Sequence, residues 1–416
     1  MVIKEISKSE FDSFSKTHVL GSFFQSSTYG TLLGKYGYTD MYVGGYKNDK
    51  LVCAFMMLTK SISINVKYGY SPRGFLLDYF DNELLTDFSL SIKKYFSKKG
   101  FAFIKINPII TLNIVNSDGT KTLNSLSNKL VVDLENLGYK KLKDNVYFES
   151  MLPKYNPIVN LKNFKYELLD SKLQNKISKI STKGLNLIKG DFYNLNSLYE
   201  LTKRKDDITS DFYKTMYKLF DEKNMIDLFL VAVDYHEYLL NLQDDYQTEA
   251  TINEKINRIF QMKPSDKNIY NEKMISDRKL YEINEEISGV NKKIQANVLK
   301  EIVAGALVIK NNNVVYIHTS GFDKTFSKLL PNHFLHYNLI NHYKNEGFSF
   351  LDLNGITGDF SKDNPYRGLN DFKLSWNPKV YEYIGEFDFI INQTKYSLLW
   401  STKMLHKEFE NKTFIR

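Results

Sequence analysis

From position 280 onward the apolar residues fall at Leu280, Ile283, Ile287, Val290, Ile294 and Val298. Steps of three and four make a near-heptad seam, a pattern satisfied by a long helix with a packed partner. The preceding stretch carries Leu239, Leu242, Tyr246, Ile256 and Phe260 at compatible spacing, with Glu249 and Asn253 as polar interruptions. Pro264-Ser265-Asp266 lies between the halves and suits a turn. The spacing predicts an antiparallel helical hairpin over 235–300, each helix about 40 Å long at 1.5 Å per residue. The hairpin carries ten Lys and Arg against eleven Asp and Glu, a net of −1. That balance makes it a poor non-specific nucleic-acid binder and favours steric support or partner contact.

On either side of the hairpin the pattern is mixed α/β. Residues 39–47 and 50–59 read as strands around the turn Asn48-Asp49. A helix is expected over 83–98, with Leu84, Leu85, Phe88, Ile92, Tyr95 and Phe96 on one face, Asp81 as N-cap and Gly100 as terminator. A strand over 101–106 follows, closed by Asn107-Pro108. Further on, 195–204 and 211–222 read as helices, and 226–233, 302–310 and 313–319 as strands. A helix over 331–345 then precedes a strand over 348–353, repeating the helix–strand order of 83–106. The two units suggest an internal structural duplication. The expected domains are 1–160, 161–234 continued in 301–416, and the hairpin 235–300 inserted between those two pieces.

With 416 residues, 43% hydrophobic and 25% charged, the chain can bury real cores. No apolar run approaches the roughly 20 residues of a transmembrane helix. The start, Met-Val-Ile-Lys-Glu-Ile-Ser-Lys, has no apolar signal core, so a cytoplasmic location is expected. The single cysteine, Cys53, sits in an apolar strand pattern and reads as a buried residue. The net charge of +8 favours polyanions such as RNA or an anionic membrane face.

Several chemistries find no support. There is no phosphate-binding Gly-x-x-x-x-Gly-Lys loop and no Gly-x-Gly-x-x-Gly fingerprint. His333 and His336 stand at a helical i, i+3 step, but no local carboxylate completes a metal set, so no metal is expected. The most suggestive block is 351–388, with Gly355, Gly358 and Gly368 followed by a lysine among polar neighbours. As a strand, 371–376 would place Phe372, Leu374 and Trp376 on one face and Asp371, Lys373 and Ser375 on the other. A lysine so placed can stabilise an oxyanion or hold a phosphate; a solvated strand face fits the same pattern.

Five ordered segments carry a family resemblance. They are Phe23-Phe24-Gln25-Ser26 with Tyr29, Pro72-Arg73-Gly74-Phe75-Leu76-Leu77-Asp78-Tyr79, Ile104-Lys105-Ile106-Asn107-Pro108, the helical hairpin, and the block 351–388. Together they resemble the FemABX aminoacyltransferases along nearly the whole chain. The resemblance implies an α/β (α+β) fold of two tandem GNAT-like domains with a coiled-coil arm inserted in the second. It implies transfer of glycine, serine or alanine from aminoacyl-tRNA to an amine of a peptidoglycan precursor such as lipid II, with no cofactor. It also implies contact with the inner face of the plasma membrane. Phe372 and Lys373 match the family's Phe-Lys pair near the transfer site. The proton acceptor is left open among Asp371, Asp359 and a group on the substrate. Lys35, Arg73, Tyr79, Asn107 and Arg367 are the candidate substrate-binding residues.

Three positions depart from the family pattern. Asn107 stands where Asp is usual, Phe75 where Pro is usual, and 172–189 holds Lys without Arg. A retuned specificity or a non-catalytic relative would explain them. A CoA-dependent acetyltransferase would need a pyrophosphate loop at a helix N-terminus, which neither Gly321-Phe322-Asp323 nor Ser71-Pro72-Arg73-Gly74 supplies.

Overall fold

The computed structural model describes residues 1–63, 66–144, 146–148, 150–180, 182–203 and 208–401. Their strands form two sheets. The first runs in the order Val2–Glu5, Thr39–Lys47, Lys50–Ser63, Val66–Ser71, Phe101–Ile106, Phe387–Ile390, Tyr139–Lys141. The second runs Leu185–Gly190, Ile226–Asp234, Lys300–Asn311, Val314–Phe322, Phe350–Asp352, Tyr155–Asn160, Lys379–Tyr383, Thr111–Val115, Lys121–Leu123.

The repeated order expected from sequence extends further than helix and strand. Each sheet opens with a strand, two helices and an antiparallel meander of three strands. In the first, the helices are Lys8–Thr17 and Ser27–Gly34; in the second, Leu195–Thr202 and Ser210–Asp221. Each meander then passes through one helix to a parallel strand. Asn82–Ser97 joins Val66–Ser71 to Phe101–Ile106, and Pro331–Asn345 joins Val314–Phe322 to Phe350–Asp352. Local chemistry fixes these helices. The Asp81 carboxylate accepts the Leu84 N–H at 3.0 Å, and Gly100 stops the chain at φ +83°. The helix expected over 195–204 ends at Thr202; Arg204 lies outside the described residues.

Sheet membership does not follow the linear order of the chain. Thr111–Val115 and Lys121–Leu123 leave the first unit and extend the second sheet. Phe387–Ile390 comes from much later in the chain and enters the first sheet between Phe101–Ile106 and the edge strand Tyr139–Lys141. Each exchanged strand carries a buried charge network. Asp388 faces Lys105 in register, and their charged atoms meet at 2.8 Å. Glu382 faces Asn113 in register and accepts its amide at 2.7 Å, together with the ammonium groups of Lys121 and Lys154 at 2.9 and 3.1 Å. Burial alone would raise the Glu382 carboxyl, but those donors outweigh it and hold it below the usual range. A continuous apolar cluster also joins the units, with Phe23, Tyr29, Leu32 and Met56 of the first packed with Phe212, Phe220, Leu228 and Leu307 of the second.

The hairpin is present as helices Tyr235–Met262 and Lys267–Gln295, with Asp266 capping the second. Its base joins the second unit's core through Tyr235, Tyr238, Leu242 and Val290. Farther out, Glu249, Asn253 and Ser276 form a buried polar layer. Cys53 is buried in its strand, and burial pushes its thiol up to about 12. Among the described residues, no helix is long and apolar enough to cross a membrane.

One expected element is different. Residues 371–376 do not form a strand; Arg367–Leu374 is a helix, and the strand comes later at Lys379–Tyr383. Phe372 and Trp376 lie four apart, a spacing that shares a face in a helix as well as in a strand. Asn370 decides the matter. Its buried amide donates to the Thr357 carbonyl and hydroxyl at 3.2 and 2.9 Å and accepts the Thr357 N–H at 3.1 Å. The helix is thereby clamped onto the glycine-containing loop that precedes it.

Candidate active site

Where the chain crosses between the sheets, three crossing segments frame a cleft. They are residues 107–110, the described residues 142–144, 146–148 and 150–154, and residues 384–386, and backbone bonds knit them together. Leu142 N–H donates to the Glu386 carbonyl at 2.9 Å, Ile384 N–H to Ile110 at 3.0 Å, and Tyr383 N–H to Lys154 at 2.9 Å. The cleft is small and open to solvent, and its charged lining includes Arg73, Lys143, Asp144, Lys154 and Glu386.

Arg73 enters from the first unit. Its backbone is left-handed at φ +55°, and its side chain is 4% exposed. The guanidinium donates to the Pro153 carbonyl at 2.9 Å and lies 5.0 Å from the centre of the Tyr383 ring. Asn107 fixes this loop, accepting the Arg73 N–H at 2.8 Å and donating to the Tyr70 hydroxyl at 3.0 Å. The Tyr79 hydroxyl accepts the Phe75 N–H at 2.6 Å, so Tyr79 shapes the same loop from inside the core. Asn107 and Tyr79 therefore spend their polar atoms on structure rather than on the open space.

Lys373 enters from the second unit, on the helix rather than on a strand. Its ammonium donates to the carbonyls of Asn354 and Gly355 at 3.2 and 2.8 Å. Phe372 points elsewhere, its ring packed edge-on against His333 and His336 at 5.1 and 4.8 Å. Consecutive helical residues diverge by about 100°, so the Phe-Lys pair expected to act together is split between core and loop. Those histidines are packing partners here, and burial lowers the His333 imidazole to about 4. Asp371 is exposed and pairs with Arg367 at 3.3 Å. Asp359 takes bonds from Ser361 and Tyr147, which hold it below the usual carboxylate range. Lys35 is exposed at the end of helix Ser27–Gly34. Arg73 and Asn107 thus line the cleft, Lys373 adjoins the loop behind it, and Asp371, Arg367 and Lys35 lie on exposed surface.

Two carboxylates escaped the sequence reading. Glu386 lines the cleft and accepts the Met151 N–H at 2.6 Å. Its signal was the Gly385 before it, whose φ of +95° turns the side chain out of the strand alternation. Asp352 is 6% exposed, and burial raises its carboxyl while the charges of Arg73 and Lys373 act in the opposite sense. A charged residue closing an apolar strand was the available signal.

Two mixed α/β units joined by exchanged strands, with a charged cleft at the exchange, define the class. The chain belongs to the FemAB family, whose model matches residues 6–404. It is 25% identical to aminoacyltransferase FemA of Staphylococcus epidermidis, over 98% of this chain and 100% of that protein. It is 24% identical to lipid II:glycine glycyltransferase of the same species, over 96% of this chain and 95% of that protein. The crystal structure of FemX superposes with a TM-score of 0.73 at 21% identity, covering 96% of this chain and 100% of that one.

Proposed function

We propose that this protein is an aminoacyltransferase of peptidoglycan bridge formation, moving an amino acid from aminoacyl-tRNA to an amine of lipid II. The observation that carries the reading is the cleft at the strand exchange, lined by Arg73 of one unit and backed by the Lys373 loop of the other, in a chain of this family. An aminoacyl ester is already activated, so aminolysis needs positioning, a proton acceptor and a donor to the oxyanion. The amine nitrogen bonds to the ester carbonyl carbon, the C–O bond to the ribose breaks, and the proton taken from the amine by a base is passed to the leaving ribose oxygen, which departs as a hydroxyl. Glu386 is our candidate for that base, because it is in the cleft while Asp371 and Asp359 are spent on surface partners. Lys373 is assigned to the oxyanion or to the acceptor end of the tRNA, and Arg73 to the precursor.

The test is purified protein with lipid II and glycyl-, seryl- or alanyl-tRNA. Mass spectrometry should find lipid II extended by one amide-linked residue with at least one of the three. No product with any of them overturns the reading.

A further inference from the structure

We infer that Asp352 is a positioning residue for Lys373, holding in place both the loop that seats the ammonium and a negative charge beside it. Asp352 ends its strand and makes the last register pair, with Tyr316, before the two parallel strands diverge. Both its oxygens accept from the Asn156 amide, at 3.2 and 3.0 Å. One of them also accepts the Asn354 N–H at 2.8 Å, a side chain-to-backbone turn two residues on.

That turn leaves Asn354 left-handed at φ +63° and aims the carbonyls of Asn354 and Gly355 at Lys373. The Asn354 side chain ties the loop to the neighbouring strand by donating to the His318 carbonyl at 3.1 Å. A Cβ on Gly355 would meet Pro153 at 2.3 Å, so the loop runs too close to Pro153 for any side chain at 355. The contacts therefore run from Asp352 through the Asn354 backbone to Lys373 without a gap.

The charges point the same way. The cations acting on Asp352 are Lys373 from its own unit and Arg73 from the other, and the buried phenols of Tyr316 and Tyr383 feel its charge. With its oxygens held by Asn156 and Asn354, Asp352 does not take the proton of an incoming amine; it acts through Lys373.

The decisive variant is Asp352→Asn, which keeps the shape and the acceptor for Asn354 but removes the charge. Competitive acetylation with acetic anhydride, read by mass spectrometry, should label Lys373 at least about threefold faster than in wild type near pH 8, since losing an adjacent anion favours the neutral amine. The other lysines are internal controls and should stay unchanged. Unchanged Lys373 labelling in folded Asp352→Asn overturns the inference. If that variant does not fold, Asp352→Ser also removes the charge while its hydroxyl can still accept the Asn354 N–H, and the same comparison decides with the same two outcomes.

A kinetic arm rests on the transferase reading. Asp352→Asn should lower kcat about tenfold with KM for lipid II within about twofold, as expected for a group acting only on the transition state. An unchanged kcat in an active wild type overturns the inference. An inactive wild type instead overturns the function, and the labelling still judges Asp352.

Discussion

The two units share one order of elements and differ at two equivalent places. In the first, the central meander turns through Asn48 and Asp49, both left-handed at φ +50° and +58°, the geometry of a tight hairpin turn. In the second, the same turn is replaced by the helical arm Tyr235–Gln295. The second difference lies past the strand after the crossover helix. There the first unit has Asn107, its amide closed on Arg73 and Tyr70, while the second has Asp352 and a loop that seats a lysine. Insertions at an exposed turn cost a sheet little. The point where parallel strands diverge is where side chains can face a ligand. The first difference therefore changed the outline of the molecule, and the second divided its chemistry, with a closed, structural ending in one unit and a charged one in the other.

That contrast can be broken most decisively at Lys373. Lys373→Ala should lower kcat by about 10²- to 10³-fold, the cost of one oxyanion donor, while circular dichroism shows a native fold. Full activity in that variant removes the second unit from the chemistry. Glu386→Gln should cost at least about tenfold in kcat, toward the low end expected for a general base, with KM for lipid II little changed.

The exchange that builds the cleft is tested at Glu382. Glu382→Ala removes the buried carboxylate shared by Lys154, which keeps Asp144, and by the partly exposed Lys121, and should lower unfolding free energy by about 2–3 kcal/mol in urea titrations. Because the folded Glu382 carboxyl lies below its unfolded value, its stabilisation is present above about pH 4.3 and is lost as pH falls through the folded value. The urea midpoint of the wild type should fall over that acid range, and Glu382→Gln should flatten part of the fall. A slope identical in wild type and Glu382→Gln would remove Glu382 from the accounting.

Smaller effects are expected where the first unit is purely structural. In Asn107→Asp the carboxylate still accepts the Arg73 N–H, and the Tyr70 hydroxyl can turn to donate. Stability should change by less than about 1 kcal/mol, against about 1–3 kcal/mol for Asn107→Ala, which orphans buried partners. The smallest effect concerns the arm. Replacing 247–282 by a short loop removes its outer part and keeps the base residues Tyr238, Leu242 and Val290. The body should melt within a few degrees of wild type, and KM for aminoacyl-tRNA should change less than about threefold, given the arm's lack of basic surplus. A larger rise in KM would make the arm a tRNA contact.

Much of the fold was legible because its signals are local. The near-heptad seam set the arm, Asp81 and Gly100 bounded a helix, and Asn48-Asp49 set a turn. The helix over 367–374 was misread because Phe372 and Trp376 satisfy both periods, and the arbitrating bond from Asn370 to Thr357 joins two elements. The site was legible in part. Arg73 came from the family resemblance of 72–79 and Lys373 stood out as a cation in a glycine-containing block, whereas Glu386 and Asp352 gain their meaning from segments far away in the chain.

Sequence by itself determined the elements, the repeated order and the place of the insertion, since periodicity, caps and turn residues act over a few positions. Tertiary structure alone decided that residues 111–123 and 387–390 change sheets, because pairing partners are chosen by whole-sheet register and by the burial of Lys105 with Asp388 and of Glu382 with the donors Asn113, Lys121, Lys154 and Tyr155. The cleft exists only at those crossings, so no local pattern could have announced it.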